Sequence, residues 1–145
     1  MEKINEIKMT LDSKSVNEGF ARSTVAAFVS QLDPTLEEIS DIKMAVSEAV
    51  TNCIVHAYPQ SVGKIYICVT IFQDAKVKIS IRDKGCGIID VRQAMEPLFT
   101  TLGGERAGLG FAVMESFTDR IIVHSKPEKG TTVTMYKTIN GRAGQ

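Results

Sequence analysis

Glu48, Asn52 and His56 recur every four residues. On a helix that spacing leaves neighbouring Cβ atoms about 5–6 Å apart, near enough for two side chains to share one ligand or ion. A carboxylate beside a carboxamide suits two tasks. Asn offers a neutral oxygen to a hard cation such as Mg²⁺, and Glu can take the proton of a nucleophilic hydroxyl. The same spacing also describes a solvated helix face, although Asn is a poor interior helix residue. A second stretch, Asp83-Lys84-Gly85-Cys86-Gly87-Ile88, puts an acceptor carboxylate ahead of two glycines. Such glycines admit positive φ and close approach of the backbone to a ligand, and Asp83 could read a donor such as the amino group of adenine. A plain turn has the same composition. In the third stretch, Gly103 to Gly110, Arg106 stands ahead of a predicted helix start. Helix N-terminal amides with a fixed guanidinium bind phosphate, and glycines this dense weaken a helix, so a purely structural account is strained.

The elements that must position these residues follow from periodicity. Apolar residues at odd positions from Ile7 predict a strand over about 4–12. Ser15-Val16-Asn17-Glu18 has the capping-box pattern and opens a helix to about Leu32, with Phe20, Val25, Phe28, Val29 and Leu32 near one face. Asp33-Pro34 breaks the chain, and Thr35-Leu36-Glu37-Glu38 caps a second helix to about Ala57. Ile65 to Ile71 and Val77 to Ile81 alternate sharply around a short Gln73-Asp74 turn, an antiparallel hairpin. Asp83 to Arg106 has no period, which marks a functional or mobile segment. Ala107–Phe117 reads as a helix, Ile121–His124 and Thr131–Thr138 as a final hairpin, and 140–145 as a frayed tail. This order predicts a single α+β domain, a two-layer sandwich with helices on one face of a mixed, mostly antiparallel sheet.

Composition removes several classes. Seventeen basic residues balance seventeen acidic ones, against the cationic excess that nucleic-acid binding by counterion release requires. No apolar run approaches the ~20 residues that span a bilayer, and the first residues lack a signal-peptide stretch, so a cytoplasmic protein off the membrane is expected. Cys53, Cys68 and Cys86 fit neither a disulfide framework nor a zinc site. No Gly-x-x-x-x-Gly-Lys-[Ser/Thr], His-Glu-x-x-His or protein-kinase His-Arg-Asp signature is present.

Taken in order, Glu48-x-x-x-Asn52, Asp83-x-Gly85-x-Gly87 and Gly108-Leu109-Gly110 resemble the N box and the two glycine boxes of the GHKL ATPases. Gly130-Thr131-Thr132-Val133 resembles the element that closes their adenine pocket. The layout is similar to their Bergerat fold. Gyrase-type, chaperone and mismatch-repair members carry additional domains, and histidine kinases carry a phosphoacceptor helical domain; neither fits in 145 residues. Over about residues 4 to 138 the chain is most similar to the small serine kinases that double as anti-sigma factors. Shared stretches include Asn17 to Phe28, Met95 to Thr101, and Gly110-Phe111-x-x-Met114-Glu115-x-Phe117.

The resemblance implies an enzyme that uses Mg-ATP to phosphorylate a serine of an anti-anti-sigma protein and that binds and inhibits a sporulation sigma factor. Glu48 would be the general base and Asn52 the Mg²⁺ ligand. Asp83, with Thr131 beside it, would meet the adenine, and Gly85 and Gly87 would let the backbone pass the nucleotide. Residues from about Met95 to Ala107, Thr100 and Thr101 among them, would form the lid. Arg106 and the Gly108, Leu109 and Gly110 amides would meet the phosphates. Arg22, with Glu18 one turn before it, matches the position that touches both protein partners; a solvated Arg is the plain alternative. A homodimer is implied, whose ATP form holds sigma and whose ADP form stays on its substrate. A general-stress anti-sigma kinase and a nucleotide-sensing module without kinase activity are the alternatives. No role attaches to Cys86, read as a buried or neutral thiol.

Overall fold

The alternation of Ile65, Ile67, Val69 and Ile71 with polar neighbours builds β2 (Lys64–Phe72), every one of these isoleucines and valines buried on one side. In the computed structural model, which describes residues 2–88, 91, 95 and 110–142, β2 lies between β1 (Lys3–Asp12) and β3 (Lys76–Asp83). The chain returns at the far edge as β4 (Arg120–Lys126) and doubles back as β5 (Gly130–Thr138) between β4 and β3. The strand order is β1-β2-β3-β5-β4, and every pairing is antiparallel rather than mixed. The β2–β3 turn spans Gln73–Ala75, with Asp74 and Ala75 both at positive φ.

One sheet face is covered by α1 (Val16–Val29), α2 (Leu36–Asn52) and the short α3 (Phe111–Ser116). Ile42, Ala45, Val46, Ala49, Val50 and Cys53 repeat at three- and four-residue steps, so α2 turns one continuous stripe onto the sheet. The other face carries Lys8, Tyr66, Lys76, Lys78, Arg82 and Tyr136. There Arg82 and Lys84 lie over the Tyr66 ring at 5.7 and 5.1 Å from its centroid, cations covering an aromatic that no helix covers. Among the described residues no helix is long and apolar enough to cross a membrane.

Four further expectations change. Phe20 is 57% exposed rather than part of the buried face. At about 100° per residue it stands some 140° from Val25, and the buried stripe runs through Ala21, Val25 and Val29. Ser15 forms no capping bond, because its backbone is already helical (φ −58°, ψ −30°), whereas a cap needs extended geometry. Thr35, at ψ 164°, does form the box: its hydroxyl accepts from the Glu38 amide at 3.1 Å, and Glu38 accepts from the Thr35 amide at 2.9 Å. The second helix is α-helical only to Asn52, and 53–57 widen into a π turn. The expected fraying starts too early, since Ile139 is buried and Asn140 and Gly141 donate to Glu38 at 2.7 and 3.1 Å. The Arg142 amide donates to the Asp33 carbonyl, and residues 143–145 lie outside the described residues.

Candidate functional site

The π turn is the joint on which the site is assembled. Widening of the helix at Cys53–Ala57 presents backbone carbonyls to the segment that leaves β3, and such bulges are frequent at functional sites. The Cys86 amide donates to the Ala57 carbonyl at 3.1 Å, and the Cys86 thiol to the His56 carbonyl at 3.0 Å. Tyr58 closes the same corner: its hydroxyl donates to the Lys64 carbonyl at 2.8 Å and accepts from the Lys84 amide at 2.7 Å. The end of α2 and the Asp83–Ile88 segment therefore form one unit. Cys86 is exposed, not buried.

Asp83 ends β3 at 6% exposure. Its Oδ1 accepts from the Gly85 amide at 2.9 Å and the Thr131 amide at 3.2 Å, and its Oδ2 takes the Cys53 thiol at 3.6 Å, an ordinary separation for the larger sulfur donor. Burial pushes the Asp83 carboxyl above the ordinary aspartate range, while these three donors pull it back. Burial, then the Asp83 charge, push the Cys53 thiol well up, so it stays a protonated donor. Thr131 is buried, and its hydroxyl meets Ser125 Oγ at 2.7 Å, which in turn accepts the Ile88 amide at 2.8 Å. Asp83, Gly85 and Thr131, predicted to share a site, are brought together here.

The glycines have neighbours within the protein. A Cβ at Gly85 would strike the Ala57 carbonyl, and one at Gly87, whose φ is +73°, would strike that of Lys126. Close packing of two backbones accounts for both positions without a nucleotide. Gly110, also at φ +73°, stands before α3, so the helix begins later than Ala107–Phe117 predicts. A Cβ at Gly110 would fall against the Glu48 carboxylate. The last residue of the second glycine box thus touches the first residue of the N box.

Glu48 and Asn52 lie one turn apart on α2, each half-buried. His56 belongs to the π turn, so the helical stripe does not continue to it with α geometry. On α1, Arg22 pairs with Glu18 through Nη1 and Oε2, and exposed Val16 and Phe20 lie near them in the sequence. Sequence periodicity missed Phe20 as a surface feature and Cys53 as a partner of Asp83. The first could have been found by counting helical angles; the second had no local signal. Thr100, Thr101, Arg106, Gly108 and Leu109 lie outside the described residues, as does nearly all of the expected lid.

These features define a class. Residues 10–137 match the histidine kinase-like ATPase domain family. An anti-sigma F factor of Caldanaerobacter subterraneus subsp. tengcongensis is 57% identical over 140 residues, 96% of this chain and 97% of that one. The anti-sigma F factor of Bacillus subtilis strain 168 is 50% identical over 135 residues, 92% of each. Among solved structures, the RsbU and RsbW domains of a Mycobacterium tuberculosis protein share the fold at a TM-score of 0.69 and 21% identity, over 94% of this chain and 33% of that one. A mycobacterial sensor histidine kinase does so at 0.58 and 15%, over 89% and 97%. The chain belongs to the histidine kinase-like ATPase domain family and, within it, to the anti-sigma F factors.

Proposed function

We propose that the protein is an ATP-dependent protein-serine kinase that phosphorylates a serine of an anti-anti-sigma antagonist and that also binds and inhibits a sporulation sigma factor. The contact between Gly110 and Glu48 carries this reading. It brings the segment proposed to hold the phosphates beside the one carboxylate on α2 placed to act as a base. Asp83 Oδ2 keeps an acceptor position for the adenine amino group.

Among the described residues no three His, Cys, Asp or Glu side chains gather as a metal cluster. A lone carboxamide such as Asn52 beside Glu48 fits Mg²⁺, which keeps water and substrate phosphates as most of its ligands. Mg²⁺ held there would neutralise phosphate charge. Glu48 takes the proton of the substrate serine as its oxygen attacks the γ-phosphorus and the bond to the departing ADP breaks. Arg106, the amides of Gly108, Leu109 and Gly110, and the lid residues Thr100 and Thr101 complete the phosphate contacts. Phosphoryl transfer asks mainly for such positioning and charge stabilisation.

The Glu18–Arg22 pair and the exposed Phe20 form the protein-binding end of α1, and the name of the relatives, anti-sigma F factor, supports a sigma partner. The protein works as a cytoplasmic homodimer with no direct contact to nucleic acid. The outer edge of β1, unpaired among the described residues, supports strand addition by a second copy.

Transfer of ³²P from γ-labelled ATP to the anti-anti-sigma protein tests the kinase reading. Wild type should label a serine; Glu48→Gln should bind ATP normally and turn over about 10²–10⁴-fold more slowly. Equal labelling by the two proteins would remove Glu48 from the chemistry. ATP binding without label in either would leave a nucleotide sensor.

A further inference from the structure

A carboxylate offers about four acceptor positions. On Asp83 the Gly85 and Thr131 amides use both of those on Oδ1, and the Cys53 thiol uses one on Oδ2. Cys53 is 3% exposed and Asp83 6%, so water does not compete freely for either. We propose that Cys53 is a positioning residue of the base site: its S–H occupies the inner lone pair of Asp83 Oδ2 and holds the remaining one toward the 6-amino group of a bound purine. This rests on the reading of Asp83 as the adenine acceptor and adds the residue that fixes its free lone pair.

The location supports it. Cys53 opens the π turn directly after Asn52, so its side chain leaves the helix where the ladder widens, toward the end of β3. An alanine there would leave Oδ2 with no donor from the π turn, and the carboxylate held about χ2 by its Oδ1 bonds to the Gly85 and Thr131 amides alone. A serine would keep the donor. The selectivity at stake is that of a purine with an amino group at C6 over one with an oxo group, because the oxo oxygen is an acceptor and repels Oδ2.

The test compares dissociation constants for ADP and IDP, which differ at C6 and in the proton that the oxo form carries on N1, in wild type, Cys53→Ser, Cys53→Ala and Cys53→Val. Wild type and Cys53→Ser should favour ADP to a similar degree. Cys53→Ala should lose about five- to tenfold of that preference, the scale of one ordinary hydrogen bond. Cys53→Val keeps bulk without a donor and should match alanine; it also serves if the alanine variant does not fold. A role in packing alone would weaken ADP and IDP equally and leave the ratio intact, which would overturn the proposal. A wild type without preference would overturn the adenine reading of Asp83, and this inference with it.

Discussion

At the scale of the residue, Asp83 shows how environment rewrites a side chain. Its carboxyl is pushed up by burial, yet the adenine contact proposed for it needs the ionised form, whose Oδ2 accepts a hydrogen bond from the amino group. A raised folded value means that proton uptake favours the folded state. That contribution is present below the unfolded value near about 3.9 and is lost as pH rises through the folded one. For nucleotide the sign is reversed: acidification through the raised value removes the acceptor. ADP affinity should therefore fall on acidification from a pH above that at which an ordinary aspartate titrates. In Asp83→Asn, affinity should be lower at neutral pH and flat across that range. Calorimetric titration at a series of pH values checks this, and an acid limb retained in the asparagine variant would assign it to another group. Asp83, Glu48 and Asn52 were all legible in the sequence as candidates, because a carboxylate before spaced glycines and a polar pair four apart on an apolar helix are local patterns. Cys53 was not, because its partner lies thirty residues away.

At the scale of the element, two sequence patterns of equal quality have different fates. Ser15-x-x-Glu18 and Thr35-x-x-Glu38 both read as capping boxes, but only the second closes. Ser15 enters α1 from a backbone already in helical geometry, and Glu18 spends its carboxylate on Arg22. Thr35 follows the Asp33-Pro34 break in an extended conformation and faces the orphan amides. Thr35→Ala should lower stability by about 1 kcal/mol, the common cost of an N-cap lost to alanine. Ser15→Ala should stay within about 0.5 kcal/mol. Urea denaturation of the two variants separates them, and equal losses would mean that Ser15 caps α1 in solution. The π turn belongs to this scale too. Nothing in Cys-Ile-Val-His-Ala announces it, since its hydrogen bonds are completed by the Asp83–Ile88 segment.

At the scale of the molecule, Glu38 does more than complete a cap. Burial pushes its carboxyl up, but the backbone amides of Thr35, Asn140 and Gly141 outweigh that and hold it below the ordinary glutamate value. A depressed folded value gives stability that is present above the unfolded value and lost as pH falls through the folded one. Glu38→Gln should therefore be less stable than wild type at neutral pH, with the gap closing on acidification below the ordinary glutamate range. Thermal unfolding across pH measures it, and a gap constant with pH would mean that the tail is held by shape alone. Lys137 makes a similar long-range tie, from β5 to Asp41 on α2 and to the Phe117 carbonyl, each at 3.3 Å.

The sequence by itself determined which segments are helix and strand, which strand faces are buried, the two-layer class and the residue types at the site. Those depend on periods of two and 3.6 and on motifs a few residues long, which a linear reading contains. Tertiary structure alone decided that α2 widens after Asn52, that Gly85 and Gly87 are required by neighbouring backbone, that Gly110 lies on Glu48, and that Asn140 and Gly141 are held by Glu38. Each is a contact between residues tens of positions apart. Its energy depends on a separation of a few ångströms that no local pattern encodes and that exists only once the helices have closed on the sheet.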